Sequence, residues 1–185
     1  INKIIIPLFL LTACSYYSLK GSFPAGINSV YISNITNDTS EFIASEKLNQ
    51  IFTTDLINEN IIKIKSSENA DSRVDITITK LNDKPFSISS SNLQSELVEE
   101  WKLTIHINIV WFNMHTGDEI INKNLSAWGA YGTGQDISSD GIDNDADNLI
   151  DSADSDEFGL PRDSALRIAI EKISGKIINE LTSTW

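Results

Sequence analysis

The chain has very little of what disulfide frameworks, zinc sites and nucleic-acid binding require. Among its 185 residues there are one cysteine and two histidines. A single cysteine has no intramolecular disulfide partner, and no set of Cys and His residues has the spacing of a zinc site. Lysine and arginine number 14 against 26 acidic residues, for a net charge of -12. This balance excludes a strongly basic nucleic-acid-binding protein.

The remaining composition is that of one globular domain with an acidic insertion. Apolar residues make up 41% and charged residues 22%, so the chain can bury a core. Nine carboxylates lie between Asp136 and Glu157 with no Lys or Arg among them, and without them the net charge would be only -3. We call residues 133–160 the insert. The nearly neutral domain and the insert need separate explanations.

The N-terminus has the pattern of a secretory signal that ends in a cysteine. Lys3 precedes the apolar run 4–11, which is far shorter than the roughly 20 residues of a membrane-spanning helix. Leu11-Thr12-Ala13-Cys14 then resembles the bacterial lipoprotein box. We therefore predict a signal peptide over residues 1–13, lipid attachment at Cys14 and a single domain over residues 14–185. The alternative is a hydrophobic N-terminus with a free thiol.

The residue after Cys14 bears on localisation. Ser15 stands there instead of Asp, which by analogy with Gram-negative sorting favours the outer membrane. No acidic run for surface export follows Cys14, so we expect a domain that faces the periplasm. Three acyl chains would anchor it stably.

The order of secondary structure predicts an α+β fold. A β-branched run at 30–35 precedes a helix of about 18 residues, whose start we place at the capping-box-like segment 38–41. A short strand follows at 61–64, and a strand of period two runs from Val74 until Asp83-Lys84-Pro85 breaks the pattern. A hairpin then joins strands 96–114 and 119–131, and a helix begins at Pro161. We predict a two-layer sandwich with two helices on one face of a mixed, mostly antiparallel sheet, of the β-α-β-β-β-α type.

No constellation of catalytic residues is visible in the sequence. His106 falls on the polar side of an alternating strand and His115 in a turn, where exposed histidines are usual. There is no phosphate-binding glycine loop and no nucleophile elbow. We expect a protein that is not an enzyme; an enzyme would need His106 or His115 clustered with acidic or serine residues in a pocket.

The insert has the spacing of a calcium loop. Counting from Asp143, carboxylates fall at loop positions 1, 3, 5, 9 and 12, and position 7 would offer its backbone carbonyl. Asn148 stands where such loops normally have Gly, and the last position is Asp instead of Glu, which resembles dockerin loops and the Asp-rich calcium repeats of secreted bacterial proteins. The alternative is a solvated acidic loop. The predicted calcium ligands are Asp143, Asp145, Asp147, Leu149, Asp151 and Asp154.

Several short motifs resemble one family of lipoproteins. These are the lipobox, the opening 17–21 with Pro24 soon after, the strand that ends in 34–37, and Ala70-Asp71 before a strand. Together they resemble a divergent branch of the lipopolysaccharide-assembly lipoprotein family, LptE, over residues 14–131 and 161–182. The insert lies outside the resemblance.

The resemblance implies a non-catalytic function at the outer membrane. Such a domain would sit as a plug in an outer-membrane β-barrel, LptD, and assist its assembly and the delivery of lipopolysaccharide. No lipid-contacting residue is carried over. The alternative is a calcium-stabilised periplasmic binding or adhesion lipoprotein, in which the insert is the functional loop.

Overall fold

A six-stranded sheet and two long helices make up the fold. The computed structural model describes residues 23–89, 97–132, 137–154 and 159–183; the predicted signal peptide and Cys14 lie outside these ranges. The helices are α1 (Ile43–Glu59) and α2 (Pro161–Thr182). The strands are β1 (Ser29–Ile32), β2 (Thr36–Asn37), β3 (Lys63–Ile64), β4 (Ser72–Ser89), β5 (Leu97–Asn113) and β6 (Glu119–Gly132).

The sheet is mixed and mostly antiparallel, as predicted. Its strand order is β3-β1-β4-β5-β6, and β2 pairs with β4 beside β1. The pairings of β1 and β2 are parallel, whereas the long strands β4, β5 and β6 are antiparallel. Both helices pack against one face of the sheet, which confirms the predicted α+β class and the β-α-β-β-β-α type of element order.

The core lies between the helices and the sheet face that the helices cover. Alternate residues of β5 point into it and are completely buried, as the period of two predicts. The helices add an apolar stripe at helical spacing. The β5 residues are Leu103, Ile105, Ile107, Ile109 and Trp111, and the largest helical contributors are Leu48, Phe52, Leu56, Leu166, Ile170, Ile173 and Ile177.

The opposite face of the sheet, which we call the outer face, is polar at its centre and carries Val110, Phe112 and Trp128 toward its ends. Asn108 donates from Nδ2 to the side-chain oxygens of Asn122, at 3.1 Å, and of Asn124, at 3.2 Å. His106 lies on this face, paired with Lys80 on one side and Ser126 on the other. No described helix covers this face.

The start of α1 differs from the prediction. The helix begins at Ile43, and its N-cap residue, Phe42, makes no side-chain capping hydrogen bond. The capping-box interpretation of residues 38–41 is therefore wrong. The polar residues are used in the preceding turn, where Asn37 Oδ1 accepts from the backbone N–H of Thr39 at 3.0 Å and Asn37 Nδ2 donates to the Glu41 carbonyl at 2.8 Å.

The strand break predicted at Pro85 is also wrong, because β4 continues to Ser89. β1 and β2 pair only with residues 72–78 of β4, so in the described chain the side of β4 at Pro85 has no neighbouring strand. A proline is tolerated there because no ladder bond needs its missing N–H. The register shifts between Pro85 and Ser87. The β4–β5 hairpin extends past Gly132, the last residue of β6, and we call the part beyond it, residues 88–89 and 97–99, the arm.

Different parts of the chain lie at the two ends of the sheet. The arm, the insert and the starts of both helices lie at one end, where Arg162 contacts Glu41 at 2.9 Å and Asp83 at 3.2 Å. Phe23, the first described residue, lies at the other end, with its ring 6.2 Å from that of Trp111. In the described chain no helix has the length and apolarity needed to cross a bilayer.

Candidate functional site

The described part of the insert folds back onto the free edge of β6. Ala130 donates its backbone N–H to the Asn144 carbonyl at 2.8 Å, and the N–H of Gly132 bonds the Asp140 carboxylate. Burial raises the pKa of Asp140. The insert thus occupies backbone groups that would otherwise be an open sheet edge.

Three of the predicted calcium ligands converge in this segment. Oxygen atoms of Asp143, Asp145 and Asp147 all lie within 4.8 Å of one another. The Asp143 carboxylate accepts from the backbone N–H of Ala146 at 2.6 Å and of Asn148 at 3.0 Å. These bonds shape the turn.

The other predicted ligands have different surroundings. Asp154 is 7% exposed, and its negative charge adds to burial in raising the pKa of Asp145. The Asp151 carboxylate accepts from the backbone N–H of Gly141 at 2.9 Å. Leu149 is 45% exposed and donates its N–H to Asp147 at 2.7 Å. The structure therefore brings Asp143, Asp145 and Asp147 together, whereas the Asp151 carboxylate is bonded to Gly141.

A lysine from α2 supplies positive charge to the cluster. Lys172 donates from Nζ to the backbone carbonyl of Asp145, and its ammonium group lies 4.9 Å from the centre of the Trp128 ring. Burial lowers the pKa of Lys172, whereas the charges of Asp143, Asp145 and Asp147 act in the opposite direction. Burial also raises the pKa of Asp145.

The donor set fits a calcium ion. Three convergent carboxylates are hard oxygen donors, which is the chemistry that Ca²⁺ prefers. Positive φ angles at Ala146 and Asn148, +67° and +75°, give the tight turn that brings alternate side chains together. Asn148 adopts the left-handed geometry at the position where such loops have Gly. The residues that would hold the ion are Asp143, Asp145 and Asp147.

His115 belongs to a separate cluster at the opposite end of the sheet. Its Nε2 lies 3.2 Å from Oδ1 of Asp71, and Oδ2 of Asp71 accepts from the Ser29 hydroxyl at 2.8 Å. The Ser29 hydroxyl and the Asn28 backbone N–H lower the pKa of Asp71 to about 2. Ser29 is fully buried and bonds the carboxylate instead of the imidazole. This cluster ties β1 to β4 and to the β5–β6 turn.

Solved structures with a similar fold include bacterial lipoproteins. Uncharacterised lipoprotein B from Nitrosomonas europaea has a TM-score of 0.51 at 14% identity, covering 90% of each chain. Protein XCC0632 from Xanthomonas campestris, of family DUF330, has a TM-score of 0.53 at 7% identity, covering 89% of this chain and 92% of that one. A minor lipoprotein from Acinetobacter baumannii has a TM-score of 0.46 at 10% identity, covering 85% and 94%. No family model and no curated protein matches the chain.

These similarities establish the fold and no particular activity, since the identities are low. The fold is one that a bacterial lipoprotein also has. The sequence did not point to Lys172 or to the edge contact of the insert. Both depend on contacts between distant parts of the chain, and the only available signal was a lysine near the middle of an otherwise apolar-striped helix.

Proposed function

We propose that the protein is a non-catalytic, lipid-anchored partner of an outer-membrane β-barrel translocon, acting in lipopolysaccharide transport and outer-membrane assembly. In this proposal it resembles LptE and is anchored through Cys14 with its domain facing the periplasm. The partner barrel would be LptD-like. Lipopolysaccharide is its proposed cargo.

The observation that carries this proposal is the polar centre of the outer face, which no helix of the described residues covers. A domain surrounded by a polar barrel lumen needs hydrogen-bonding groups on its exposed surface, because buried polar groups of the partner must be satisfied. Asn108, Asn122 and Asn124 form such a surface across β5 and β6. Their amides bond one another in the isolated domain and can exchange those bonds for bonds to a partner.

Purification of the acylated protein from its native outer membrane tests this proposal. We expect a large β-barrel to co-elute stoichiometrically in mild detergent and to remain after salt washing. Asn108→Arg should lower the retained barrel at least tenfold, since it places a bulky charge at the centre of the outer face. The matched control is Asn49→Arg, which makes the same change on the exposed side of α1.

Two results would contradict the proposal. A wild-type lipoprotein that elutes alone, under conditions that preserve other membrane complexes, removes the barrel partner. Equal retention by Asn108→Arg and Asn49→Arg would mean that the outer face is not the contact surface.

A second candidate function is favoured by the convergence of Asp143, Asp145 and Asp147. Here the chain is a calcium-stabilised periplasmic binding or adhesion lipoprotein, in which the ion fixes the insert on the β6 edge. Calcium would supply charge neutralisation and rigidity to the loop. The two functions are compatible, because the insert and the outer-face asparagines are separate parts of the molecule.

Calcium binding is expected to stabilise the folded protein. Extracytoplasmic loops bind with Kd of about 10⁻⁴ to 10⁻³ M, so 10 mM calcium should stabilise by up to about 2.7 kcal/mol. We expect a heat of binding and a raised Tm, both lost in Asp143→Ala plus Asp147→Ala. The control, Asp38→Ala plus Asp118→Ala, removes two exposed carboxylates elsewhere and should respond like the wild type. No heat and no Tm change in the wild type would reject the ion.

A further inference from the structure

The β6 strand is an edge of the sheet, and the described residues occupy only part of its backbone groups. Alternate residues of an edge strand direct their N–H and C=O groups away from the sheet. Ala130 does so, because its N–H reaches Asn144 of the insert, and Ser126 does so through its carbonyl. By the same alternation Asn122 and Asn124 present their backbone groups along the edge, beyond the reach of the described insert contacts.

Two lysines of α2 line this edge. Lys172 reaches the insert backbone at Asp145, and Lys176 donates from Nζ to the Ser126 carbonyl at 2.6 Å. Four residues apart, they lie one helical turn from each other, about 6 Å along the axis. Side chains two residues apart on an extended strand are spaced by about 6.8 Å. A strand with carboxylates at alternate positions therefore matches the lysine spacing.

The insert already meets part of this requirement. It is acidic at alternate positions, and it contributes a backbone carbonyl to the edge at Ala130 and a carbonyl to Lys172. Two features also make the folded insert less stable. Three carboxylates converge and repel one another, and the non-glycine residues Ala146 and Asp151 have positive φ angles of +67° and +50°. Such geometry costs about 1–3 kcal/mol per residue, which makes the insert easier to displace.

We propose that the β6 edge, with Lys172 and Lys176, is a docking site for an acidic extended segment of a partner protein, and that the insert occupies part of this site in cis. The partner strand would add alongside residues 122–130 through backbone hydrogen bonds and place alternate carboxylates at the two lysines. The insert then limits access to the edge. This proposal goes beyond the barrel partnership and does not depend on calcium.

The proposal can be tested with a variant in which the insert is loosened from the β6 edge. Ile137 is fully buried in the insert but lies outside the main core cluster, so Ile137→Ser should loosen the insert without changing its charge. Ile150→Ser makes the same change at a residue that is 48% exposed and serves as the control. The probe is a fluorescent peptide with the sequence of residues 140–151, titrated in EDTA so that calcium plays no part.

We expect the peptide to bind Ile137→Ser at least tenfold more tightly than the wild type or Ile150→Ser. Adding Lys172→Gln and Lys176→Gln to Ile137→Ser should weaken binding at least tenfold. A peptide of the same composition with its aspartates contiguous should also bind at least tenfold more weakly. Equal affinity for the wild type and Ile137→Ser, or no effect of the lysine changes, overturns the proposal.

Hydrogen exchange on the intact protein keeps the test decisive if Ile137→Ser does not fold. Millimolar peptide should slow exchange at the amides of Asn122 and Asn124 in the wild-type chain, because a docked strand accepts from them. Protection elsewhere, or none, overturns the proposal.

Discussion

Replacing Gly129 by Ala is expected to lower the free energy of unfolding. Overpacking typically costs about 1–3 kcal/mol, and we expect a loss toward the upper end of that range. A Cβ at Gly129 would lie 2.9 Å from Cα of Ala165 and closer still to its carbonyl oxygen. The neighbour is helix backbone and cannot rotate away, so α2 must move off β6. Urea unfolding followed by circular dichroism measures the change.

The same substitution at Gly175 should have the opposite sign. Gly175 lies within α2, and a Cβ there meets nothing within 4 Å. Alanine is the better helix former by about 0.5–1 kcal/mol, so Gly175→Ala should stabilise the protein by that amount. If Gly129→Ala unfolds at the wild-type urea concentration, the close approach of α2 to β6 is wrong.

Phe52→Ala is expected to lower the free energy of unfolding by about 3–5 kcal/mol. The Phe52 ring is completely buried between α1 and the sheet, and its removal leaves a cavity that the packed neighbours cannot fill. For a chain of this size each kcal/mol moves Tm by about 2–4 °C. Differential scanning calorimetry should therefore show a fall of about 10 °C.

Phe42 provides a matched control in the same part of the chain. Its side chain is 84% exposed, so Phe42→Ala should change the unfolding free energy by no more than about 0.5 kcal/mol. Comparable losses for Phe42→Ala and Phe52→Ala would mean that α1 is rotated from the orientation described. The two variants together fix which face of α1 is buried.

Features with a local cause were predictable from the sequence. Pro161 in the first turn of α2 and Gly117, with φ of +78°, in the β5–β6 turn follow from backbone preferences of the residues themselves. The buried alternation along β5 follows from the two-residue period of a strand. Such signals need no information about the rest of the chain.

Features that depend on neighbouring elements were not predictable. The strand through Pro85 requires knowing that β1 and β2 pair only with residues 72–78 of β4. The start of α1 at Ile43 reflects the use of Asn37 in a preceding turn. The spacing of Asp143, Asp145 and Asp147 indicated their convergence, whereas the approach of Lys172 depends on how α2 packs against β6.

Phe23 and the arm lie at opposite ends of the sheet, so the two ends can stand at different distances from a membrane that holds Cys14. β5 has 17 residues and spans about 55 Å at 3.3 Å per residue. The nine steps from Cys14 to Phe23 cover at most about 30 Å. If Cys14 carries the proposed acyl chains, the Trp111 end lies within about 30 Å of the bilayer surface. With the strands upright, the arm stands about 50 Å beyond that end, and the insert contacts at Ala130 and Gly132 stand about 35–45 Å beyond it. The orientation of the domain then decides whether its distal end meets lipid or stands away from the membrane.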